Sequence, residues 1–200
     1  NTINQESSFV IQFNMEITHT NVFLDIASGL LKGDEIITSK KKLGQLKGIF
    51  KDEATRASMD QNITVYSVQA WMPVNEGTSG GLFFGNSTIF PGKVGNEYFM
   101  TRGHFHALAD TAEYYWCIKG TGVLLIMDER RNVKAEEMVP GSLHYIPGRT
   151  AHRVANTGDQ ELVFNACWPS DAGHDYETIG REGFASRLLE IKGIPVLTEI

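Results

Sequence analysis

Between positions 104 and 113 the chain carries His104, His106 and Glu113, side chains able to ligate a metal. In a β-strand, residues i and i+2 face the same side, so the stretch HFH puts both imidazoles on one face. Glu113 opens the next apolar run, AEYYWCIKG, and His152 starts another, AHRVANTG, after a Pro-Gly turn. Strands that converge inside a barrel would bring three imidazoles and a carboxylate together. That donor set suits Fe, Mn, Co, Ni or Zn better than Ca or Mg, which prefer all-oxygen shells. The chain has no CxxC pair, and Cys117 and Cys167 sit inside apolar runs. A closed thiolate zinc site is therefore disfavoured, and the set reads as an open centre that does chemistry.

The elements that must position these groups are mostly strands. From about Asn62 the text becomes short β-rich runs: ITVYSVQAWMPV, GLFFGNSTIF, EYFMTRGHFHAL, AEYYWCIKG, GVLLIMDE, LHYIPG, AHRVANTG and ELVFNACW. Separators such as PGKVGN, KGTG, DERRN and NTGDQ are rich in turn residues, so the pattern predicts an all-β sandwich or barrel. Upstream, Leu43, Leu46, Ile49 and Phe50 recur at helical spacing and predict one amphipathic helix from Leu43 to Met59. FVIQFNMEI and NVFLDIA read as short strands, although DIASGLLKG also fits a helical turn ended by Gly33. After Trp168 a polar loop with one helical turn leads to two closing strands, SRLLEI and IPVLTEI. No repeat or linker divides the 200 residues. The reading is one domain, with 1–61 as an extension packed on the barrel, 62–170 as the core and 171–200 as the closing segment.

Composition narrows the function class. A formal charge of −6 argues against a nucleic-acid surface. The longest apolar runs fall well short of the roughly 18 residues of a membrane span, and the first residues lack the features of a secretory leader. Two reduced core thiols favour the cytoplasm. His19 and His144 have no spacing partner and read as ordinary polar residues. Strand alternation sends Tyr114 and Trp116 away from the metal, Tyr115 to the side of Glu113, and Arg102 to the surface.

The ligand spacing resembles the two motifs of the cupin superfamily. The first reads His104, His106, Glu113 and Gly120; the second reads Gly141, Pro147, His152 and Asn156. Two positions depart from the general pattern: six residues, ALADTA, separate His106 from Glu113, and Arg149 stands where the second motif usually has glycine. The long spacer, with PGKVGNEYFMTRGHFH, AEYYWCIKG and WPSDAGHDY, is similar to the cupin-type glucose-6-phosphate isomerases of archaea and some bacteria.

That resemblance implies a single-domain cupin, a double-stranded β-helix or jelly-roll barrel with N-terminal strands and one or two short helices. It implies interconversion of glucose 6-phosphate and fructose 6-phosphate at one divalent transition metal, iron foremost, with Mn, Ni, Co or Zn as alternatives. His104, His106, Glu113 and His152 are then the ligands, and Glu113 is also a candidate proton carrier. Thr101 and Gly103 match the phosphate-contact segment, while Ser87 and Thr88 offer further hydroxyls. His174 and Tyr176 match residues that line the sugar site, Tyr115 shares the Glu113 face, and Trp168 stands where some members have Tyr. A homodimer is expected, with neither a membrane nor a nucleic acid as partner. The competing expectations are a cupin dioxygenase and a non-catalytic sugar-binding cupin, because one barrel hosts many functions.

Overall fold

A computed structural model describes residues 17–200. The expected strand at 9–17 therefore lies, apart from Ile17, outside the described residues. The chain opens with β1 (Val22–Leu24) and β2 (Leu31–Gly33), paired as a hairpin, then β3 (Ile36–Lys42). A 3-10 turn follows (Leu43–Leu46), then α1 (Glu53–Ser58), β4 (Thr64–Trp71), β5 (Leu82–Ile89), β6 (Lys93–Val94) and β7 (Glu97–Tyr98). Next come β8 (Glu113–Lys119), β9 (Gly122–Asp128), β10 (Val133–Met138), β11 (Leu143–Ile146), β12 (Thr150–Asn156) and β13 (Leu162–Pro169). The chain finishes with α2 (Tyr176–Glu182), β14 (Ser186–Ile191) and β15 (Ile194–Glu199).

Pairing is antiparallel throughout. One sheet runs β11-β8-β13-β5-β4-β3 and a second runs β10-β9-β12. The segment 99–104 extends the second sheet, bridging β12 at Met100–Ala155 and His104–His152. Consecutive strands β8 and β9 enter different sheets, and so do β10 and β11, and β12 and β13. This alternation of four strands against four, β5-β13-β8-β11 facing the 99–104 segment with β12, β9 and β10, is the jelly-roll order. The all-β cupin fold expected from the motifs is therefore the fold observed. A third sheet, β15-β14-β7-β6, joins the closing strands to the start of the barrel wall.

Alternation along β8 sets what the barrel contains. Glu113, Tyr115 and Cys117 are buried, while Tyr114 is exposed and Trp116 half-buried. Apolar residues from both sheets, among them Tyr66, Ile89, Leu124, Ile126, Val154 and Phe164, fill the remaining interior. Removing their surface from water is the main driving force for closure. Both cysteines are free thiols; Cys117 is buried, and burial pushes its pKa up to about 11, whereas Cys167 is half-buried.

Two expectations about elements need correction. The single helix from Leu43 to Met59 is split into the 3-10 turn and α1, because Gly48, at φ +78°, reverses the chain between them. The four apolar residues are buried as the spacing implied, and Asp52 caps α1 by accepting the Thr55 N–H at 2.9 Å. The charged stretch VKAEEM, which carries no strand signal, forms β10, an edge strand whose Lys134, Glu136 and Glu137 suit an open rim. DIASGLLKG forms the β1–β2 turn and β2, and Gly33 is the last residue of that strand. The loop, helical turn and two strands expected after Trp168 are present. Among the described residues, no helix is long and apolar enough to cross a membrane.

Candidate metal centre

Three candidate ligands come from one sheet and the fourth from the sheet opposite. His104 and His152 form a directly opposed antiparallel pair, exchanging N–H···O bonds of 3.3 and 3.1 Å. Their rings therefore stand side by side, with centroids 4.4 Å apart. His106 follows two residues after His104, and Glu113 reaches across from the first residue of β8. One ligand atom from each of His104, His106, Glu113 and His152 falls within 4.8 Å of all the others. Glu113 is 5% exposed and His152 2%.

The contacts within the cluster leave several of its polar atoms without a partner. Glu113 Oε1 lies 2.5 Å from His152 Nε2 and 3.5 Å from His106 Nε2. Yet Glu113 Oε1 and both ring nitrogens of His152 are buried without a hydrogen-bond partner among the described residues. Buried polar atoms left in that state cost free energy, and a cation among them removes the cost. His106 adds the matching second layer. Its Nδ1 contacts the Thr111 carbonyl oxygen at 2.9 Å, and since a carbonyl only accepts, Nδ1 carries the proton and Nε2 keeps its lone pair for the centre. The residues present thus fit a single divalent transition metal.

Charge follows the same plan. Burial alone would raise the Glu113 carboxyl, but the His152 and His106 imidazoles outweigh it and hold it well below the usual carboxylate range. Burial, reinforced by the neighbouring imidazoles, pushes His104 well below an ordinary histidine, so it is neutral, as a ligand must be. Tyr115, whose ring packs on Phe164 with centroids 4.9 Å apart, is pushed well above the usual phenol range by burial and by Glu113.

A cavity of about 140 Å³ opens onto the cluster. Its walls include Ser87, Thr101, Gly103, His104, Glu113, Tyr115, His152, Trp168, His174 and Tyr176, so nearly all the residues singled out in the sequence converge there. His174 and Tyr176 stack at the mouth with parallel rings, 5.4 Å between centroids. Asp175, between them, caps α2 through the Glu177 and Thr178 N–H groups, which fixes both side chains at the rim. Thr101 Oγ1 accepts the Val154 N–H at 3.1 Å, leaving its own proton to donate. Gly103 adopts φ +78°, and a Cβ there would meet Phe184 at 2.8 Å, so only glycine fits.

Two expectations fail in the geometry. Thr88 does not line the cavity; on β5 it alternates to the face opposite Ser87, and its hydroxyl donates to Asn86 Oδ1 at 3.3 Å. Arg102 is not a surface residue. The left-handed turn at Gly103 ends the regular strand, and Arg102 swings to the cavity wall with its guanidinium carbon 5.2 Å from the Tyr176 ring centre. His144 is an ordinary structural residue, as expected: its Nδ1 donates to Glu136 Oε2 at 2.7 Å, and Ser142 Oγ donates to its Nε2 at 2.8 Å. Ser142 Oγ also accepts the Val139 N–H at 3.1 Å, so this group clamps the turn between β10 and β11. Tyr66, buried on β4 and pushed up to about 12 mainly by burial, also lines the cavity; no spacing signal in the sequence marked it.

The two departures from the general cupin motifs meet in space. Arg149 takes φ +61°, the left-handed conformation that explains glycine at this position elsewhere. Its N–H donates to Ala109 O at 2.5 Å, and its guanidinium grips Asp110 at 2.6 and 3.2 Å, both residues belonging to the ALADTA spacer. The same spacer supplies Thr111 to His106, so its extra length is used to brace a ligand.

Fold and site together define a class: a cupin barrel whose interior presents three imidazoles and one carboxylate to a metal. The family model described as "Glucose-6-phosphate isomerase (GPI)" matches residues 40–194. The glucose-6-phosphate isomerase of Thermococcus onnurineus is 40% identical over 173 residues, covering 86% of this chain and 89% of that protein. That of Pyrococcus horikoshii is 37% identical over 172 residues, covering 86% and 90%. That of Sinorhizobium medicae is 39% identical over 147 residues, covering 72% and 68%. Among solved structures, Bacillus subtilis oxalate decarboxylase aligns at 23% identity with a TM-score of 0.44, over 55% of this chain and 27% of that one. The chain belongs to the glucose-6-phosphate isomerase family.

Proposed function

We propose that this protein interconverts glucose 6-phosphate and fructose 6-phosphate at one divalent metal held by His104, His106, Glu113 and His152. Carrying the reading is the unpartnered Glu113–His152 pair, which faces a cavity walled by hydroxyl donors in a chain of this family. When bound, a divalent ion there supplies a Lewis acid that polarises the sugar carbonyl. The chain's own groups do the rest. Thr101, the Gly103 N–H and Ser87 take the phosphate, which fixes the sugar chain relative to the ligands. Glu113 Oε1, ionised and without a hydrogen bond, carries the proton between C1 and C2, the hydrogen movement that an aldose–ketose isomerisation requires. Tyr115 beside it stays a neutral phenol and donates to a substrate oxygen. His174, held mainly neutral by burial, and Tyr176 hold the sugar hydroxyls at the mouth and limit entry of water.

Iron is the proposed native ion and the cytoplasm the proposed compartment. The whole chain acts as one cupin unit, with the barrel core at 62–170. Exposed Tyr114, Leu143 and Tyr145 on the outer face of β8 and β11 favour a homodimer. The test is a coupled fructose 6-phosphate assay on chelator-treated protein supplied in turn with Fe, Mn, Ni, Co and Zn. Glucose 6-phosphate formation that depends on added metal is expected. Absence of turnover with every metal, in protein shown to be folded, would overturn the proposal.

A further inference from the structure

A sugar phosphate brings close to two negative charges to a protein of net charge −6, into a cavity whose wall already carries the Glu113 carboxyl group. Thr101, Gly103 and Ser87 offer dipoles but no charge. Among the described residues one cation faces this cavity: Arg102 is the only Lys or Arg on its walls. Most arginines of the chain have carboxylate partners: Arg56 with Glu53, Arg131 and Arg181 with Glu182, Arg149 with Asp110, and Arg187 with Glu97. Among the described residues Arg102 has none, and its Nε is fully buried without a hydrogen bond. Its guanidinium is braced over Tyr176 at 5.2 Å, and its neighbours on the wall are the Thr101 hydroxyl and the Gly103 backbone. Behind it, Arg153 Nη2 donates to the Arg102 carbonyl at 2.8 Å, which fixes the backbone from which the side chain projects.

We infer that Arg102 is the charge-bearing half of the anion site, pairing with the phosphate dianion of the substrate and selecting phosphorylated over neutral sugars. The inference rests on the isomerase reading and deepens it. A guanidinium offers a planar fork that matches two phosphate oxygens, which hydroxyls and one N–H do not supply. Because the phosphate lies away from the reacting carbons, its contacts with Arg102 are equally strong in ground and transition states. Such uniform binding appears in KM and not in kcat.

The experiment compares wild type, Arg102→Met and Arg102→Lys, all loaded with the same metal, in steady-state kinetics with fructose 6-phosphate and in calorimetric titration with inorganic phosphate. Loss of a charged hydrogen-bonded contact predicts a KM higher by about 10- to 100-fold in Arg102→Met. Its kcat should stay within about threefold, and its phosphate affinity should fall in parallel. Arg102→Lys, which keeps the charge but not the fork, should recover part of both. A folded Arg102→Met with unchanged KM and phosphate affinity would overturn the inference, as would a fall in kcat alone, the mark of a residue that only supports Tyr176. Wild type without turnover would sink the isomerase reading, while the phosphate titration would still report whether Arg102 holds an anion.

Discussion

Among the described residues the barrel contains two Glu–His groups built from the same residue types, and they differ in what their nitrogens face. At the β10–β11 turn, both ring nitrogens of His144 are satisfied, one by Glu136 and the other by Ser142. In the interior, His152 lies 2.5 Å from Glu113, yet neither of its ring nitrogens has a hydrogen-bond partner among the described residues. The first group is complete as it stands. The second is complete only with a cation among its donors, because buried polar atoms without partners are strongly disfavoured. Proximity of a carboxylate to an imidazole therefore does not identify a metal ligand. The convergence of several unspent lone pairs does.

The largest expected effect tests the interior group. His152→Ala removes a ligand, so its metal affinity should fall by more than the roughly 10- to 100-fold that loss of an outer partner costs. Activity should vanish with the metal, while circular dichroism shows the barrel intact; global unfolding of the variant would make the centre a structural one. Glu113→Gln keeps shape and loses charge. It should hold metal more weakly and lower kcat by about 10²- to 10⁴-fold even when saturated, the usual range for a lost acid–base group. A kcat within a few-fold of wild type at saturating metal would leave Glu113 a ligand only.

The turn group should show the reverse pattern. His144→Ala strands Glu136 and Ser142 and should cost about 1–2 kcal/mol in a urea melt, with metal content and turnover unchanged. Any loss of metal from this variant would erase the distinction between the two groups. The smallest effect concerns pH. Glu136 is held below its ordinary value chiefly by Lys134; burial opposes this, and His144 adds a lesser pull in the same direction as Lys134. A carboxyl lowered on folding adds stability above its unfolded pKa of about 4.3, and that contribution fades as pH falls through the folded value. Glu136→Gln should therefore flatten the acid limb of the stability curve by under about 1 kcal/mol, since the group is partly exposed. An unaltered limb would show that the pairing adds nothing.

The sequence was most legible where chemistry and periodicity coincide. HFH at i, i+2, Glu113 and His152 could be read because strand alternation makes a two-residue spacing a statement about faces. The same rule placed Tyr115 beside Glu113 and sent Tyr114 outward. It failed at Arg102, because one left-handed residue, Gly103, ends the strand and cancels the alternation just where the cavity wall is made. It failed at Thr88 for the opposite reason: β5 is regular, so adjacent hydroxyls at Ser87 and Thr88 cannot share a face. The helix from Leu43 to Met59 was half legible, since burial of its apolar residues followed the spacing while Gly48 divided the backbone. His144 gave no signal, because its partners at Glu136 and Ser142 are set by a turn whose first strand, VKAEEM, looks like solvent-exposed text. The pairing of Asp110 with Arg149 was visible only as two separate irregularities until folding brought them together.

The central claim is that the interior group, and not the turn group, holds one catalytic metal. Its most direct test is a titration of metal-free protein with Co²⁺, followed by its visible absorption, in wild type, His152→Ala and His144→Ala. The account predicts one equivalent bound by wild type and by His144→Ala, and a lost or strongly weakened signal in His152→Ala. Equal binding by all three proteins would contradict it.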